Sequence, residues 1–426
     1  MSARARLARF LRRQIRDLRE GGVPVAWRKA LMSCEMLLAI PFVLVVRLLR
    51  PLLAVRFAGL PTEGMGTLAA TLEIYLCERE AGLHGRRAID LFCRSQLVCN
   101  EQLTKMWERV VPMSRFIRAA ERVNRWLPGG RGNRVPWERT QCYDLHGLLA
   151  HTRPHIAFTA QEEAHGRAEL RRIGVGDGAD IVCFYARDAA YYLSRPSVRS
   201  PTAERQHDHR NSEIRAQVPA MHAMAQRGYV AVRMGAGAAQ RLGVLHPRIL
   251  DYAIDSRTDF LDVYLCARCH FFLGDSGGLA SVPMVFRRPV AMVNSIPLEY
   301  AWSWAPQDLF LPKLLWLRSE QRLLTFPEIM GSRIGRLMDA QLYEQAGIDA
   351  IDNTPEDIAA LAVEMDERLK GTWQTHEEDE ERQRRFWKLF AHSKHHRHIR
   401  SRIGAAFLRQ HQALLEAPAR RVQVTA

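Results

Sequence analysis

The sequence predicts an α/β protein. Between residues 181 and 294, short apolar runs alternate with helical segments: Ile181–Tyr185, then 229–232, 270–273 and 289–293. The runs are apolar throughout rather than alternating with polar residues, as strands of a parallel sheet buried on both faces must be. Each run also ends on chemistry: Arg187-Asp188, Arg233-Met234-Gly235, Gly274-Asp275-Ser276-Gly277-Gly278 and Asn294. Parallel sheets bind ligands beyond the carboxyl ends of their strands. Cations, glycines and helix N-termini at those ends suit a phosphate.

Taken in order, residues 1–58 form a basic and then an apolar segment. Arg4, Arg6, Arg9, Arg12, Arg13, Arg16 and Arg19 face only Asp17 through position 19. The uncharged run 36–46 is interrupted by Pro41, which is expected to break it. It falls short of the roughly 20 apolar residues of a spanning helix. A helix pair lying in the membrane interface, its arginines on anionic headgroups, fits best. A core helix and a single span are the alternatives. Peripheral attachment to the cytoplasmic face of the inner membrane is the expected location.

Residues 59–176 show a weaker α/β pattern. Gly64-Met65-Gly66-Thr67 precedes a helical run over 68–78, and 89–92, 96–99 and 155–159 read as short strands. The glycines of 128–132 mark a loop, and 161–172 is a charged helix stopped near Gly174. Residues 177–373 are the stronger half. They contain a helix expected from Ser212 to about Arg227, capped by Asn211 or Ser212. Another opens at Pro355-Glu356-Asp357, runs through Lys370 and stops at Gly371. Residues 374–426 form a charged helical tail, with Phe386, Trp387, Phe390, Phe407 and Leu408 able to pack it on the body.

A chain of 426 residues favours two domains plus extensions. Hydrophobic and charged contents of 47% and 25% are ordinary, but a net charge of +15 implies an acidic partner. The cysteines sit scattered in apolar runs, which favours reduced buried thiols and a cytosolic compartment. Cys266-Ala267-Arg268-Cys269 lacks the second pair of a zinc site and lies at a helix C-terminus, where a redox pair is disfavoured. His395-His396-Arg397-His398 has consecutive histidines, which point to different sides of a helix, so a solvated basic patch is expected.

The Gly274–Gly278 stretch carries the first chemistry. Glycines between a strand and a helix let the backbone approach an anion, and Ser276 adds a hydroxyl. The lysine and spacing of a Walker loop are missing, as is the third glycine of a dinucleotide fingerprint near Gly235-Ala236-Gly237. His207-Asp208-His209-Arg210-Asn211-Ser212 carries the second. Arginine's planar fork suits a diphosphate, and histidine moves protons near neutral pH. The plain reading is a solvated loop, but Arg187 and Arg233 at neighbouring strand ends favour a site. Asp251, Asp255, Asp259 and Asp262 read as helix-capping acids rather than a metal cluster. Trp302 and Trp304 can stack on a sugar or base, or serve as core or interface aromatics.

Together Phe184–Asp188, His207–Ser212, Gly228–Gly235, Asp251-Tyr252 and Asp259–Asp262 resemble a family of bacterial glycosyltransferases similar to GT-B enzymes. The resemblance is densest over 180–327 and continues through Asn353–Ile358. It implies two Rossmann-like domains facing a cleft: an acceptor domain at 59–176 and a donor domain at 177–373. A nucleotide-sugar would be the donor substrate, with no cofactor and no metal, and the acceptor a lipid-linked or surface glycan. Arg187, Arg210, Asn211, Arg233, Gly235, Ser276, Gly277 and Gly278 are the expected donor-binding residues. Asp188 and His209 are the expected catalytic ones, and Gly66, Thr67 and Glu73 lie on the acceptor side. The family tends to carry an Arg-Ile-Gly-His-type turn where this chain reads Glu63-Gly64-Met65-Gly66-Thr67. A base in that position would then be replaced by Glu73 or His209, or the activity lost. The alternatives are a non-catalytic GT-B-like glycan-binding or assembly protein and a nucleic-acid-binding protein. Against the latter, the sequence has no recognition helix, RRM or zinc-finger pattern.

Overall fold

The computed structural model describes residues 3–85, 88–136, 143–193, 201–238, 240–301, 304–393, 395–396 and 400–416. The chain forms two compact units, each built from three stretches. The first comprises Met1–Pro61, His84–Gln96 and Glu108–Trp137, and the second Thr62–Leu83, Leu97–Trp107 and Glu138–Ala426. The boundaries expected at 58/59, 176/177 and 373/374 do not coincide with this division. Strand β1 (Ala54–Leu60) and the Met65–Glu80 helix that follows it fall in different units.

In the first unit, helix Ala3–Leu48 is two helices meeting at Gly22, where φ is 56° and ψ −156°. From Gly22 the helix continues to Leu48. Pro41 does not break it, contrary to expectation, because the chain continues helically past the one hydrogen bond that proline cannot donate. Ala39, Val43 and Val46 pack against Phe57, Cys93 and the Ile117, Ala120 and Val123 face of helix Arg115–Trp126. Arg47 ties the helix end down. Its guanidinium donates to the Asn124 carbonyl at 2.8 Å and the Pro128 carbonyl at 2.7 Å. β1 pairs in parallel with β2 (Ala88–Arg94), and a buried Arg56–Asp90 ion pair at 2.6 Å crosses the two strands. The runs 96–99 and 155–159 are not strands.

The second unit holds the sheet expected from the apolar runs. Its strands are β3 (Ile181–Tyr185), β4 (Val230–Arg233), β5 (Ile249–Leu250), β6 (Phe271–Asp275), β7 (Val290–Ser295) and β8 (Leu309–Pro312). A three-stranded antiparallel sheet follows, of β9 (Leu314–Leu317), β10 (Arg322–Leu323) and β11 (Ile348–Ile351). β12 (Arg402–Ile403) then completes the main sheet at its edge. The main sheet has seven strands in the order β12-β8-β7-β6-β3-β4-β5, all parallel. β4, β6, β7 and β8 are buried at every residue, so both faces are covered, as the unbroken apolar runs require. The strand order reverses between β3 and β6, which makes their carboxyl ends the switch point. The tail is no separate module: β12 joins the sheet, and Phe386, Phe390 and Phe407 are buried.

Helix ends follow local chemistry. Thr159 with Glu162, Thr325 with Glu328 and Thr354 with Asp357 each form reciprocal capping boxes. Gly371, at φ 71°, ends the Pro355–Lys370 helix as expected. The helix expected from Ser212 begins only at Val218, with Pro219 in its first turn. Asn211 and Ser212 are not its caps. Their side chains instead bond Arg187 and Asp275.

Asn294, at the end of β7, has φ 51°. Its side chain accepts from the Asn353 N–H at 2.7 Å and donates to Asp275 at 3.1 Å. Asn294→Ala should therefore lose about 2–4 kcal/mol, combining buried groups left unpaired with a side chain forced into the left-handed region. Asn294→Gly should recover about 1 kcal/mol of that by relieving the backbone alone. Urea unfolding of both variants measures the split.

Candidate functional site

A cavity of about 550 Å³ opens at the switch point of the second unit. Its walls are the ends of three parallel strands (Tyr185–Asp188, Arg233–Gly235 and Ser276–Gly278) and the first turn of the Met65–Glu80 helix. That helix starts at Gly64 with no capping side chain, so its first N–H groups are left to other acceptors. Two backbones meet here. A Cβ on Gly278 would lie 2.8 Å from the Gly66 nitrogen, and one on Gly277 would lie 2.5 Å from the Tyr185 ring. Both positions require glycine, and the requirement is close approach rather than dihedral freedom. The Ser276 hydroxyl oxygen is buried without a hydrogen-bond partner among the described residues.

Most of the expected donor-site residues come together. Arg187, Arg210, Arg233, Gly235, Ser276, Gly277 and Gly278 all line the cavity, as do Asp188, Gly66 and Thr67. Their arginines differ in character. Arg187 is buried and its guanidinium bonds the buried Glu204 carboxylate and the Asn211 side chain. Arg233 is buried and donates to Asp251 at 3.0 Å and to the Gln240 carbonyl at 2.6 Å. Both serve the scaffold first. Arg210 is half-buried and bonds the Ser276 carbonyl, placing a cation beside the Gly277-Gly278 turn. Asp188 accepts from the Ala190 N–H at 2.8 Å.

Asn211, His209 and Glu73 do not line the cavity. Asn211 braces Arg187, and its carbonyl accepts from Lys313 Nζ at 2.9 Å. His209 is buried against Tyr343, with neither ring nitrogen hydrogen-bonded among the described residues. Burial, then the charges of Arg210, His207, Lys313 and Arg187, pulls its pKa down to about 4. It is a neutral packed ring rather than a proton shuttle at the cavity. Glu73 is fully buried. Arg287 donates to it at 2.6 Å, and His155 Nδ1 lies 3.2 Å away. Burial opposes charge on His155, but hydrogen bonds to Cys77 and Glu73 outweigh it and raise the pKa to about 10. Glu73, Cys77 and His155 lie close enough together to hold a metal ion. The Arg287 guanidinium already donates to the Glu73 carboxylate and reaches Cys77 Sγ at 3.7 Å, so the place of a cation is taken.

Several lining residues escaped the sequence reading. Glu63 stands at the entry to the uncapped helix and has no hydrogen bond or ion pair among the described residues. An acid just ahead of a helix start was the available signal. Tyr143 and Tyr300, rings 5.4 Å apart, were missed too; with Trp304, which the sequence offered as a stacking surface, they form an aromatic part of the wall. Trp302, Arg397 and His398 lie outside the described residues. Asp262 also lines the cavity. Burial lifts its pKa to about 6, against the opposing pull of Arg257 and the Tyr252 hydroxyl.

No family model matches the sequence, and no curated protein matches it. Among solved structures, the chain is similar to E. coli ADP-heptose LPS heptosyltransferase II, at 13% identity over 57% of this chain and 86% of that one, with a TM-score of 0.37. It is also similar to a glycosyl transferase family 9 protein from Veillonella parvula, at 13% identity over 61% of this chain and 86% of that one, with a TM-score of 0.36.

His209 gives a signed pH effect. Its pKa is depressed in the native state, so the unfolded chain binds the proton more readily between pH 6.5 and 4. Stability from this residue is present above pH 6.5 and lost as pH falls through that window, by at most about 1.4 kcal/mol per pH unit. Denaturant titrations from pH 7 to 4 should show a shallower acid loss in His209→Phe than in the native protein.

Proposed function

We propose that this chain is a metal-independent GT-B-type glycosyltransferase using a nucleotide-sugar donor. The observation that supports the reading most is the convergence at the switch point of the Gly277-Gly278 turn, the uncapped Met65–Glu80 helix start and Arg210 on one cavity. Backbone N–H groups and one guanidinium suit the two phosphates of a leaving nucleoside diphosphate. Preorganised donors of this kind stabilise the charge that develops as the glycosidic bond to the diphosphate breaks. Arg187 and Arg233 act at one remove in this reading. Their neutralised guanidinium groups hold the strand-end loops in place, and the backbone after Tyr185 and Arg233 forms the wall. The acceptor is a lipid-linked or surface glycan, in keeping with the basic N-terminus.

Glu63 is the acceptor's general base in this scheme, in place of His209 and Glu73, which do not reach the cavity. Its carboxylate removes the acceptor hydroxyl proton as that oxygen attacks the anomeric carbon and the diphosphate departs. Asp188, with one oxygen on the Ala190 N–H, orients the sugar. The protein's non-catalytic alternative keeps the cavity as a glycan or nucleotide receptor without turnover.

Thermal unfolding of the full chain with UDP, GDP, ADP, CDP, CMP and dTDP tests the donor site. One nucleotide at about 100 times its dissociation constant should add about 2.7 kcal/mol of stability, and Arg210→Ala should abolish the gain. No gain with any nucleotide rejects the reading. With the donor known, Glu63→Gln should leave the nucleotide shift unchanged while lowering kcat by about 10²- to 10⁴-fold. A nucleotide shift without turnover in the native protein would select the non-catalytic alternative.

A further inference from the structure

The helix from Gly22 to Leu48 presents two unlike faces. Ala39, Val43 and Val46 face inward on the core of the first unit. The outward side carries Trp27, Leu31, Leu38 and Val45 at spacings of four and seven residues, with Leu44 and Leu48 beside them; Trp27 is 67% and Leu48 79% exposed. Such spacing is one side of a helix. The charged residues of this stretch whose side chains are described, Lys29, Glu35 and Arg47, are none of them fully exposed. Glu35 lies 3.4 Å from Arg115, and Arg47 is bound to Asn124. A solvated helix turns its charges outward. Here Glu35 and Arg47 turn inward, and the apolar side is left uncovered over residues 23–48, roughly 39 Å at ~1.5 Å per residue.

By length and composition the helix is long and apolar enough to cross a membrane. Its attachments argue for another geometry. From Glu35 to Arg47 it is fastened along one side to a polar, folded unit. Residues 23–34, which precede the first of these attachments, span roughly 18 Å of helix, against a hydrocarbon core of about 30 Å. The segment before Gly22 supplies seven arginines by position 19. Those cations match anionic headgroups.

We propose that the Gly22–Leu48 helix is a monotopic anchor lying in the plane of an anionic bilayer. Its outer stripe enters the acyl boundary while its inner stripe stays docked on the first unit. The bilayer covers the apolar face, and the arginine segment selects the charge of the surface. The anchor is independent of what the second unit catalyses.

Flotation of the full chain with mixed phosphatidylglycerol–phosphatidylcholine vesicles tests attachment. The native protein should float with these vesicles and bind pure phosphatidylcholine at least about tenfold more weakly. Leu44→Glu/Leu48→Glu, which alters exposed positions only, should lower binding to the mixed vesicles at least about tenfold with unchanged thermal unfolding. Equal binding by the variant overturns the proposal. So does a lipid-free dimer that the same substitutions dissociate, since a second copy would then cover the face. Depth separates in-plane from spanning. Cys34 is an exposed free thiol in this helix, and the other described cysteines are buried. A fluorophore on Cys34, in a Cys142→Ser background, should be quenched more by headgroup-level than by mid-bilayer quenchers. Stronger mid-bilayer quenching means a spanning helix and rejects the in-plane anchor.

Discussion

The carboxylate of Asp275 organises the carboxyl edge of the sheet. It is completely buried at the end of β6 and accepts from the Arg187 N–H at 2.8 Å, the Ser212 hydroxyl and the Asn294 amide. Those donors come from the end of β3, the loop ahead of Val218 and the end of β7. One side chain thus sets the mutual position of β3, β6, β7 and the loop ahead of Val218 at the switch point. Burial raises its pKa to about 6, against the pull of those same hydrogen bonds. A lone buried carboxylate is expensive, and three convergent donors are what make it tolerable. Beyond it, Asn294 and Asn353 bond each other's backbone N–H groups, and Asn353 reaches the Pro312 carbonyl. The polar chain therefore extends from β6 across β7 to β8.

Two kinds of positive charge follow from this frame. Arg187 and Arg233 are held by Glu204, from the segment between β3 and β4, and by Asp251, which directly follows β5. They fix the loops but spend their charge within the protein. The field that an anion would meet comes instead from backbone N–H groups and from Arg210. Backbone donors at a glycine turn do not move, whereas a long side chain must be ordered on binding.

The sheet was legible because its strands are unbroken apolar runs. Ile181–Tyr185 begins and ends where the pattern does, and β4, β6 and β7 differ from it by a residue or two. The glycines of 274–278 were legible for a related reason: a strand-to-helix turn at a switch point constrains residue type. The roles of the charged residues were less so. An arginine at a strand end looks the same whether it faces a ligand or a carboxylate brought near by folding; Glu204 does not stand out in sequence, and Asp251 reads there as a helix-capping acid. His209 looked reactive in a polar string, yet the turn 208–210 rotates it against Tyr343. Asp275 read as part of a phosphate loop and proved to be the keystone beneath it. The division into units was illegible because it depends on which helix packs where, not on composition.

That division bears on how the protein emerges from the ribosome. The first unit has all its chain once residue 137 is made, whereas the Met65–Glu80 helix packs on Ser281–Val285. During synthesis, then, an apolar helix already flanked by structured segments waits for a partner that begins 201 residues after its own end. Leu68, Leu72 and Leu76, buried in the finished protein, are exposed through that interval. Nascent chains in this condition are natural clients for chaperones that shield hydrophobic surface.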